Sequence, residues 1–315
     1  MEIQSVNQDD YYMFFGKTDI YSSKSFIDSN RHKVSDIKYL IFKDKRVRAG
    51  IILGIKDNIC SSPFSSPFGG LNIINSSTSL ETLDKIITAL DSWFLNEKYK
   101  KIKIILPPVF YDSSQISELS NCFQRLNYNL EINLNYHFNL SFMDEKYISN
   151  IFPNARKNLN KGLNYNLKFY KVNNKKETLK IYNVIKKNRD QRGFPLRLTF
   201  EEIIDNNKII NSDFFSVFLD SHIIASAICY ILDSKIVQVI YWGNDFDYIK
   251  YKPMNFLSYN IFKYYKKMNF KFVDIGPSTE NSLPNFGLCS FKKSIGCTVS
   301  NKFHFQKSKN QKIEK

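Results

Sequence analysis

A carboxylate residue and a lysine occur near each other in the sequence, in the last quarter of the chain. Asp274 ends the apolar run Phe270–Ile275, and Lys292 lies in the segment FKKSIG that follows. A carboxylate there could act as a general base or orient an attacking amine, but it could also cap the turn at Gly276–Pro277. Ser278, in the same turn, could bind a substrate phosphate or be an ordinary turn residue. We treat Asp274 and Ser278 as candidate site residues.

Two arginines flank an acidic residue where a helical pattern ends. Arg189 and Arg192 stand on either side of Asp190, before Gly193 and Pro195. The guanidinium fork binds phosphate or carboxylate in a bidentate manner. The alternative is a surface ion pair that also complements the carboxyl end of the helix dipole. Both arginines are candidate substrate-binding residues.

A second basic group belongs to an earlier helical pattern. Arg156, Lys157 and Lys161 lie at positions i, i+1 and i+5 of the segment NARKNLNK. Such a set either forms a solvated basic face or contacts an anionic substrate. Lys157 is the candidate substrate-binding residue of this group.

Aromatic and basic residues alternate around the start of another predicted helix. Tyr241 and Trp242 end a strand, so one of them should face the cleft side of the sheet, where it could stack on a base or sugar. A polar loop then leads to a helix that begins at Pro253. Unpaired N–H groups at a helix start suit a pyrophosphate or carboxylate. The candidate donor-binding residues are Lys250, Lys252 and Asn255.

Composition limits the classes of function. The chain has 315 residues, a length comfortable for two domains, and a net charge of +15. That charge favours anionic partners, namely tRNA, nucleotide-linked substrates, coenzyme A or an acidic membrane surface, although lysine enrichment by codon bias would raise it equally. No apolar window is long enough for a transmembrane helix and the first residues do not resemble a secretory signal, so we expect a cytoplasmic protein.

Several site classes are not supported. The five cysteines are widely spaced without a C-x-x-C pair, and the four histidines show no metal-ligand spacing, so we expect neither a metal site nor disulfides. There is no Walker motif and no G-x-S-x-G segment.

The order of predicted elements occurs twice. Each half contains a hairpin or meander, a Pro-containing loop, a helix, a strand and a closing strand, although the residues themselves are not repeated. We therefore predict two copies of one α/β architecture that pack rigidly. The predicted boundaries are 1–145 for an N-terminal unit, 146–306 for a C-terminal unit and 307–315 for a basic disordered tail.

Several segments, in order, resemble the FemABX-like, or peptidoglycan-bridge-type, branch of the GNAT acyltransferase superfamily. The resemblance covers about residues 35–305, and its segments are SSPFSSPFGG, NARKNLNK, NRDQRGFP, YWGND, VDIGPST and GLCSFKKSIG. It implies an α/β (α+β) fold of two tandem GNAT-like units, each with a mixed, mostly antiparallel sheet flanked by helices. It also implies that Lys292 is catalytic and stabilises an oxyanion or a donor phosphate, whereas the residue alone could equally be a solvated lysine.

The resemblance implies transfer of an acetyl or aminoacyl group to an amine or hydroxyl of an anionic small molecule, a sugar or a cell-wall precursor. The acyl donor would be acyl-CoA or aminoacyl-tRNA. The glycine-containing pyrophosphate loop of acetyl-CoA enzymes has no counterpart, because the equivalent segment, Phe246–Pro253, has no glycine. Transfer that depends on aminoacyl-tRNA is therefore one alternative, and a degenerate, non-catalytic double-GNAT binding module is another. A role in cell-wall or polysaccharide biosynthesis and peripheral contact with an acidic membrane follow only by analogy.

Overall fold

A computed structural model describes residues 1–16 and 19–309. Its helices are α1 (Gln8–Phe15), α2 (Lys24–Asn30), α3 (Leu80–Asn96), α4 (Ser113–Arg125), α5 (Tyr147–Asn150), α6 (Pro153–Asn164), α7 (Lys175–Gln191), α8 (Phe200–Asn207), α9 (Pro253–Lys267) and α10 (Phe286–Ser294). Its strands are β1 (Glu2–Val6), β2 (Asp36–Lys43), β3 (Val47–Lys56), β4 (Ile59–Ser62), β5 (Leu71–Ile73), β6 (Lys101–Ile105), β7 (Asn129–Asn139), β8 (Leu167–Val172), β9 (Ser212–Leu219), β10 (His222–Ile231), β11 (Ile236–Asn244), β12 (Phe272–Pro277), β13 (Thr279–Glu280), β14 (Leu283–Pro284) and β15 (Thr298–Ser308).

The chain forms two compact units. Unit 1 contains Met1–Leu134, Glu280–Leu283 and the chain from Ser300 onward, and unit 2 contains Asn135–Thr279 and Pro284–Val299. The predicted division lies between residues 145 and 146 and leaves the final strand in the C-terminal half. The final strand instead belongs to unit 1 because β15 pairs with β6, a long-range pairing that no local pattern signals.

The predicted disordered tail begins too early. Lys307 and Ser308 are the last residues of β15, and Lys307 pairs with Ile102 of β6 in the sheet register. The Lys307 ammonium also donates to the Asp91 carboxylate at 2.7 Å and to the Leu126 carbonyl at 2.9 Å. These partners hold the residue in place. Residues 310–315 of the predicted tail lie outside the described residues.

Unit 1 packs helices on a mostly antiparallel sheet. Its strand order is β1-β2-β3-β4-β6-β15, with β5 on β3, and β4 and β6 form the parallel pair. The Ser79 side chain caps α3 by accepting the N–H of Thr82. The apolar stripe of α3 then faces the sheet and packs with α4 in the core, through Leu83, Ile86, Ile87, Leu90 and Phe94.

Unit 2 repeats this arrangement. From the second half of β7 its strand order is β7-β12-β11-β10-β9-β8, in which β11 and β12 are the parallel pair. Helix α9 packs on one face of this sheet: Phe262 stacks on Phe138 with ring centroids 4.2 Å apart, and Tyr265 contacts Phe215 at 5.8 Å. Each unit is therefore a mixed, mostly antiparallel sheet flanked by helices, as the sequence predicted. Over the described residues, every helix is too short or too polar to cross a bilayer.

Candidate functional site

The parallel strands of unit 2 separate along their length. β11 and β12 pair only where Ile236–Gln238 lies beside Phe272–Asp274. Beyond that point β11 continues along β10 to Asn244, while β12 continues to Pro277. Where two parallel strands diverge, their backbone N–H and C=O groups lose the ladder partners that they would otherwise have. We call this opening the β11–β12 gap, and it can accept the backbone or the carbonyl of an extended ligand.

Asp274 lies at the point where the gap begins. Its side chain is fully buried and accepts three hydrogen bonds, from Asn135 Nδ2 at 2.7 Å, Gln238 Nε2 at 2.9 Å and the Gly276 N–H at 2.9 Å. The bond to Gly276 is an Asx-type turn, and Gly276 has a φ of 72°, a conformation that favours glycine. The carboxylate therefore fixes the turn of β12 at the point where its pairing with β11 ends.

Lys292 binds three successive backbone carbonyls at the end of β12. Its side chain is 2% exposed, and its ammonium donates to the carbonyls of Ile275 at 2.7 Å, Gly276 at 2.8 Å and Pro277 at 3.0 Å. The pairing of β12 with β7 is irregular over these residues, so the lysine supplies donors that the ladder does not. Burial lowers the pKa of Lys292 to about 8, and the negative charge of Asp274 opposes that change.

The segment that contains Lys292 is helical. Its residues up to Ser294 form the last turn of α10. The Asn285 side chain caps this helix by accepting the N–H of Leu288 at 3.0 Å. Lys292 is buried and Lys293 is exposed because neighbouring positions on a helix point in different directions.

Ser278 lies directly after the carbonyls that Lys292 binds. The residue is 4% exposed, and its hydroxyl has no hydrogen-bond partner among the described residues. Its own carbonyl accepts the N–H of Asn285 at 2.9 Å and the thiol of Cys289 at 3.6 Å. Asp274, Ser278 and Lys292 therefore meet around one turn of β12, as a shared site requires.

The predicted arginines lie near the far end of β11. Arg189 donates through Nε to the Phe194 carbonyl at 2.9 Å, and its guanidinium lies 5.7 Å from the centre of the Tyr241 ring. Arg192 lies 5.0 Å from the Phe246 ring. Burial raises the pKa of Tyr241, and the charge of Arg189 opposes this rise. Both arginines therefore contact aromatic rings of β11 or of the segment that follows it.

Tyr241 and Trp242 face opposite sides of the sheet, as strand alternation requires. Tyr241 faces Arg189, and Trp242 contacts Phe291 of α10 with ring centroids 6.0 Å apart. Both rings are half-buried. Trp242 therefore connects β11 to the helix that carries Lys292, while Tyr241 lies on the side where α7 packs.

The predicted donor loop is folded. Phe246–Tyr251 is a 3-10 helix, in which the N–H of Tyr248 donates to the Asp245 carbonyl at 3.3 Å. The N–H of Lys252 donates to Ile249 at 3.1 Å. These backbone N–H groups are therefore already used, and a pyrophosphate could bind them only if the segment unwound. The Asp245 carboxylate, at the start of this segment, binds Lys187 at 3.0 Å.

The predicted donor-binding residues surround the end of this segment. Lys252 has a φ of 57° and precedes α9 without a side-chain cap. Lys250 is exposed and lies 5.1 Å from the Tyr251 ring. Asn255, in the first turn of α9, is 8% exposed. Lys157 is exposed on α6, which packs against α9. These four residues lie on α6 and at the start of α9, not around the turn that Lys292 binds.

Sequence reasoning missed four residues of the site: Asn135, Tyr136, Gln238 and Cys289. Tyr136 lies beneath Lys292, with the ammonium 5.6 Å from its ring, and burial raises the pKa of Tyr136 to about 12. Gln238 was detectable as the one polar residue in the apolar run VQVIYW. Over the described residues, no group of three or more His, Cys, Asp or Glu side chains could hold a metal ion.

Comparison with known proteins defines the fold class. No known family model matches the chain, and no curated protein matches it in sequence. Among solved structures, it is similar to FemX, with a TM-score of 0.66 and 11% identity over 96% of this chain and 97% of that one. It is also similar to L-PGS from Bacillus licheniformis, with a TM-score of 0.56 and 11% identity over 98% and 94% of the two chains.

A third similar structure is a tandem GNAT protein from the clavulanic acid biosynthesis pathway, with a TM-score of 0.55 and 6% identity over 99% of both chains. The protein thus has the tandem GNAT fold, and the resemblance to FemABX-like proteins is confirmed at the level of fold. At these identities the comparisons establish the fold alone.

Proposed function

We propose that the protein is an acyltransferase whose β11–β12 gap receives the acyl group of the donor. The observation that carries the proposal is the separation of the two strands after Gln238 and Asp274, with Asp274 and Lys292 fixing the course of β12. An acyl carbonyl that enters the gap can hydrogen-bond the backbone of β11, which has no β12 partner there. Such a site holds the reacting carbon in one position, which is the main requirement for direct acyl transfer.

The chemistry is one nucleophilic substitution at the acyl carbon. The amine or hydroxyl of the acceptor forms a new N–C or O–C bond, the C–O or C–S bond to the donor breaks, and the acceptor's proton ends on the leaving oxygen or sulfur. The buried Lys292 charge stabilises the oxyanion of the intermediate through the field of the site. All three of its N–H groups already bind carbonyls, so direct contact with the oxyanion would require one of them to exchange partners.

Aminoacyl-tRNA is the donor that we favour over acyl-CoA. The segment that would bind the coenzyme pyrophosphate is a 3-10 helix with occupied N–H groups, which is capped by Asp245 and contains Asp247. The net charge of +15 favours a polyanionic donor. A cytoplasmic location follows from this donor. For the acceptor, we propose an anionic small molecule, sugar or cell-wall precursor, bound by Arg189, Arg192 and Tyr241.

A non-catalytic binding module is the second candidate, and one observation favours it. The hydrogen bonds that Asp274 accepts from Asn135, Gln238 and Gly276, and those that Lys292 donates to three carbonyls, have an evident structural purpose. In a module that binds an acyl carrier without turning it over, these two residues would do nothing more than shape the gap.

An assay of donor turnover separates the two candidates. The protein is incubated with tRNA charged with radiolabelled amino acids, or with acetyl-CoA, together with a pool of UDP-sugars and peptides, and labelled product is measured. We expect transfer from the charged tRNA. Binding of charged tRNA, measured by thermal shift, without release of the amino acid over any acceptor would support the module instead. Transfer from acetyl-CoA alone would reject our choice of donor and leave the acyltransferase proposal intact.

A further inference from the structure

The two faces of β11 beyond Gln238 differ in character. Tyr241 lies on the side of α7, where the Arg189 guanidinium is 5.7 Å from the centre of its ring. Trp242 lies on the opposite side, where its ring meets Phe291 of α10 with centroids 6.0 Å apart and an angle of 65° between the planes. One face of the strand is therefore basic and polar, whereas the other is aromatic and apolar.

The contact between Trp242 and Phe291 connects the two strands that border the β11–β12 gap. Helix α10 is bound to the end of β12, because the Lys292 ammonium donates to three successive carbonyls of that strand. Phe291, the preceding residue of the same helix, contacts β11 through the ring of Trp242. The ring pair therefore spans from β11 to the helix that is bound to β12, and it borders the gap on its α10 side.

The residues on this side of the gap are apolar and partly accessible. Trp242 and Phe291 are half-buried, and so is Leu288, which neighbours Phe291 on the helix because it lies three residues earlier. The sequences of α10 (FGLCSFKKS) and of residues 239–244 (VIYWGN) contain no acidic residue. The adjoining Lys292 ammonium is positive, so it repels a cationic ligand group. This surface therefore favours an uncharged, apolar ligand group.

We propose that Trp242, Leu288 and Phe291 bind the side chain of an apolar acyl group, and so select which acyl group the protein accepts. The inference rests on the proposed function, because it takes the gap as the acyl site. An acyl carbonyl that is bound to the backbone of β11 places its substituent on one face of that strand. On the α10 face, an apolar substituent buries its surface against the rings. A charged substituent loses hydration there and finds no carboxylate on α10 or on this part of β11.

The test uses the two tryptophans of the chain, Trp93 and Trp242. Trp93→Phe leaves Trp242 as the single tryptophan, so that its fluorescence reports a ligand beside it. The probes are the amides of glycine, alanine, norleucine and lysine, which carry an acyl carbonyl without any nucleotide or coenzyme. Norleucine and lysine share the same unbranched four-carbon chain and differ in the terminal ammonium. Titration of each amide gives its affinity, and the result does not depend on the choice of donor.

We expect the norleucine amide to bind at least about tenfold more tightly than the alanine amide, because each buried methylene raises the affinity roughly fourfold. The lysine amide should bind at least about tenfold more weakly than the norleucine amide. Phe291→Ala, combined with Trp93→Phe, should weaken the norleucine amide at least about fivefold and the glycine amide less than about twofold. The matched control is Phe286→Ala, which removes a 76% exposed ring from the same helix and should change each affinity by less than about twofold. Melting temperatures establish that both variants fold.

Equal affinities for the four amides would overturn the inference, as would tightest binding of the lysine amide or unchanged Trp242 fluorescence with every amide. Equal losses of affinity in Phe291→Ala and Phe286→Ala would overturn it as well. The transfer assay separates the inference from the proposed function. If the amides bind in the expected order but no acyl group is transferred, the proposed function fails and the apolar site stands. If glycyl or lysyl groups are transferred as fast as leucyl groups, this inference fails and the proposed function stands.

Discussion

The two parallel strand pairs of the molecule end in different ways. In unit 1, β4 and β6 pair over Ile59–Ser62 and Lys101–Ile104. The next groups are then bound by the unit's own chain: the Gly69 N–H donates to the Ile105 carbonyl at 2.8 Å, and the Gly70 N–H donates to Ser62 Oγ at 3.0 Å. In unit 2 the corresponding strands separate, and a lysine side chain binds the carbonyls of β12.

This difference favours unit 2 as the location of the proposed acyl site. The segment after β4 fills the position beside β6, and Phe68 of that segment is only 4% exposed. A ligand could enter there only by displacing several backbone hydrogen bonds and a buried ring. In unit 2 the Lys292 side chain binds the carbonyls of β12, and β11 has no β12 partner beyond Gln238. If the proposed site is correct, the same architecture forms a closed scaffold in unit 1 and a binding site in unit 2.

The largest expected effect is that of Lys292→Met. The change removes the donors of three carbonyls, so we expect the free energy of unfolding to fall by about 3 kcal/mol and donor turnover to fall at least about 100-fold. Denaturant unfolding and the transfer assay measure the two effects. Lys293→Met is the control, because that side chain is exposed, and it should change stability by less than about 0.5 kcal/mol. Unchanged turnover in folded Lys292→Met would remove the lysine from the mechanism.

Two glycine substitutions test the comparison in both directions. Gly70 has a φ of 104°, and a Cβ atom there would lie 2.9 Å from Leu106 Cδ2, so we expect Gly70→Ala to cost about 2–3 kcal/mol. Gly276 has a φ of 72° with no atom within 4 Å of an added Cβ, so Gly276→Ala should cost about 1–2 kcal/mol. We expect Gly276→Ala to lower the turnover more than Gly70→Ala does, because only Gly276 borders the β11–β12 gap. Equal losses of turnover in both variants, at a temperature where both are folded, would refute the comparison.

Ser62→Ala should have a smaller effect, confined to unit 1. The Ser62 hydroxyl accepts the Gly70 N–H and is 4% exposed, so its loss leaves a buried donor without a partner. We expect a loss of about 1 kcal/mol in the free energy of unfolding and no change in transfer rate. A marked fall in the transfer rate at unchanged stability would mean that the unit 1 strand pair takes part in the reaction.

The free energy of unfolding should depend on pH differently in the two units. We expect it to change little near neutral pH. Burial lowers the pKa of His304 in unit 1 to about 4, so the unfolded chain binds more protons between about pH 4 and 6.5 and stability falls as the pH drops through that range. The pKa of Lys292 in unit 2 is lowered to about 8, so stability should rise between about pH 8 and 10.5. His304→Gln should remove the first change and Lys292→Met the second. Persistence of either slope in its variant would assign it to another group.

The repeated order of elements and the turn at Asp274 could be predicted from the sequence. Strand alternation and helix periodicity are local, so the hairpins, α3 and α9 could be predicted from them. Asp274, Ser278 and Lys292 were selected from one stretch of chain, and the structure brings them together around residues 275–277. The pairing of β15 with β6 joins segments about 200 residues apart, which local patterns do not encode.

Two misread segments have a physical cause. The FKKSIG segment is helical because the Asn285 side chain caps the start of α10. The segment Phe246–Tyr251 has no apolar periodicity, and its 3-10 helix depends on Asp245, whose side chain accepts the Asp247 N–H at 3.1 Å. In both places a polar capping residue that precedes the segment determines its structure. A pattern of residues inside the segment therefore does not predict the helix.

Photoaffinity labelling tests the central claim most directly. A tRNA whose acyl group carries a diazirine is bound to the protein and irradiated, and the adduct is located by mass spectrometry of the peptides. We predict labelling of residues 239–244 of β11 or residues 275–278 of the β12 turn. Labelling confined to residues 62–70 of unit 1 would contradict the assignment of the acyl site to unit 2.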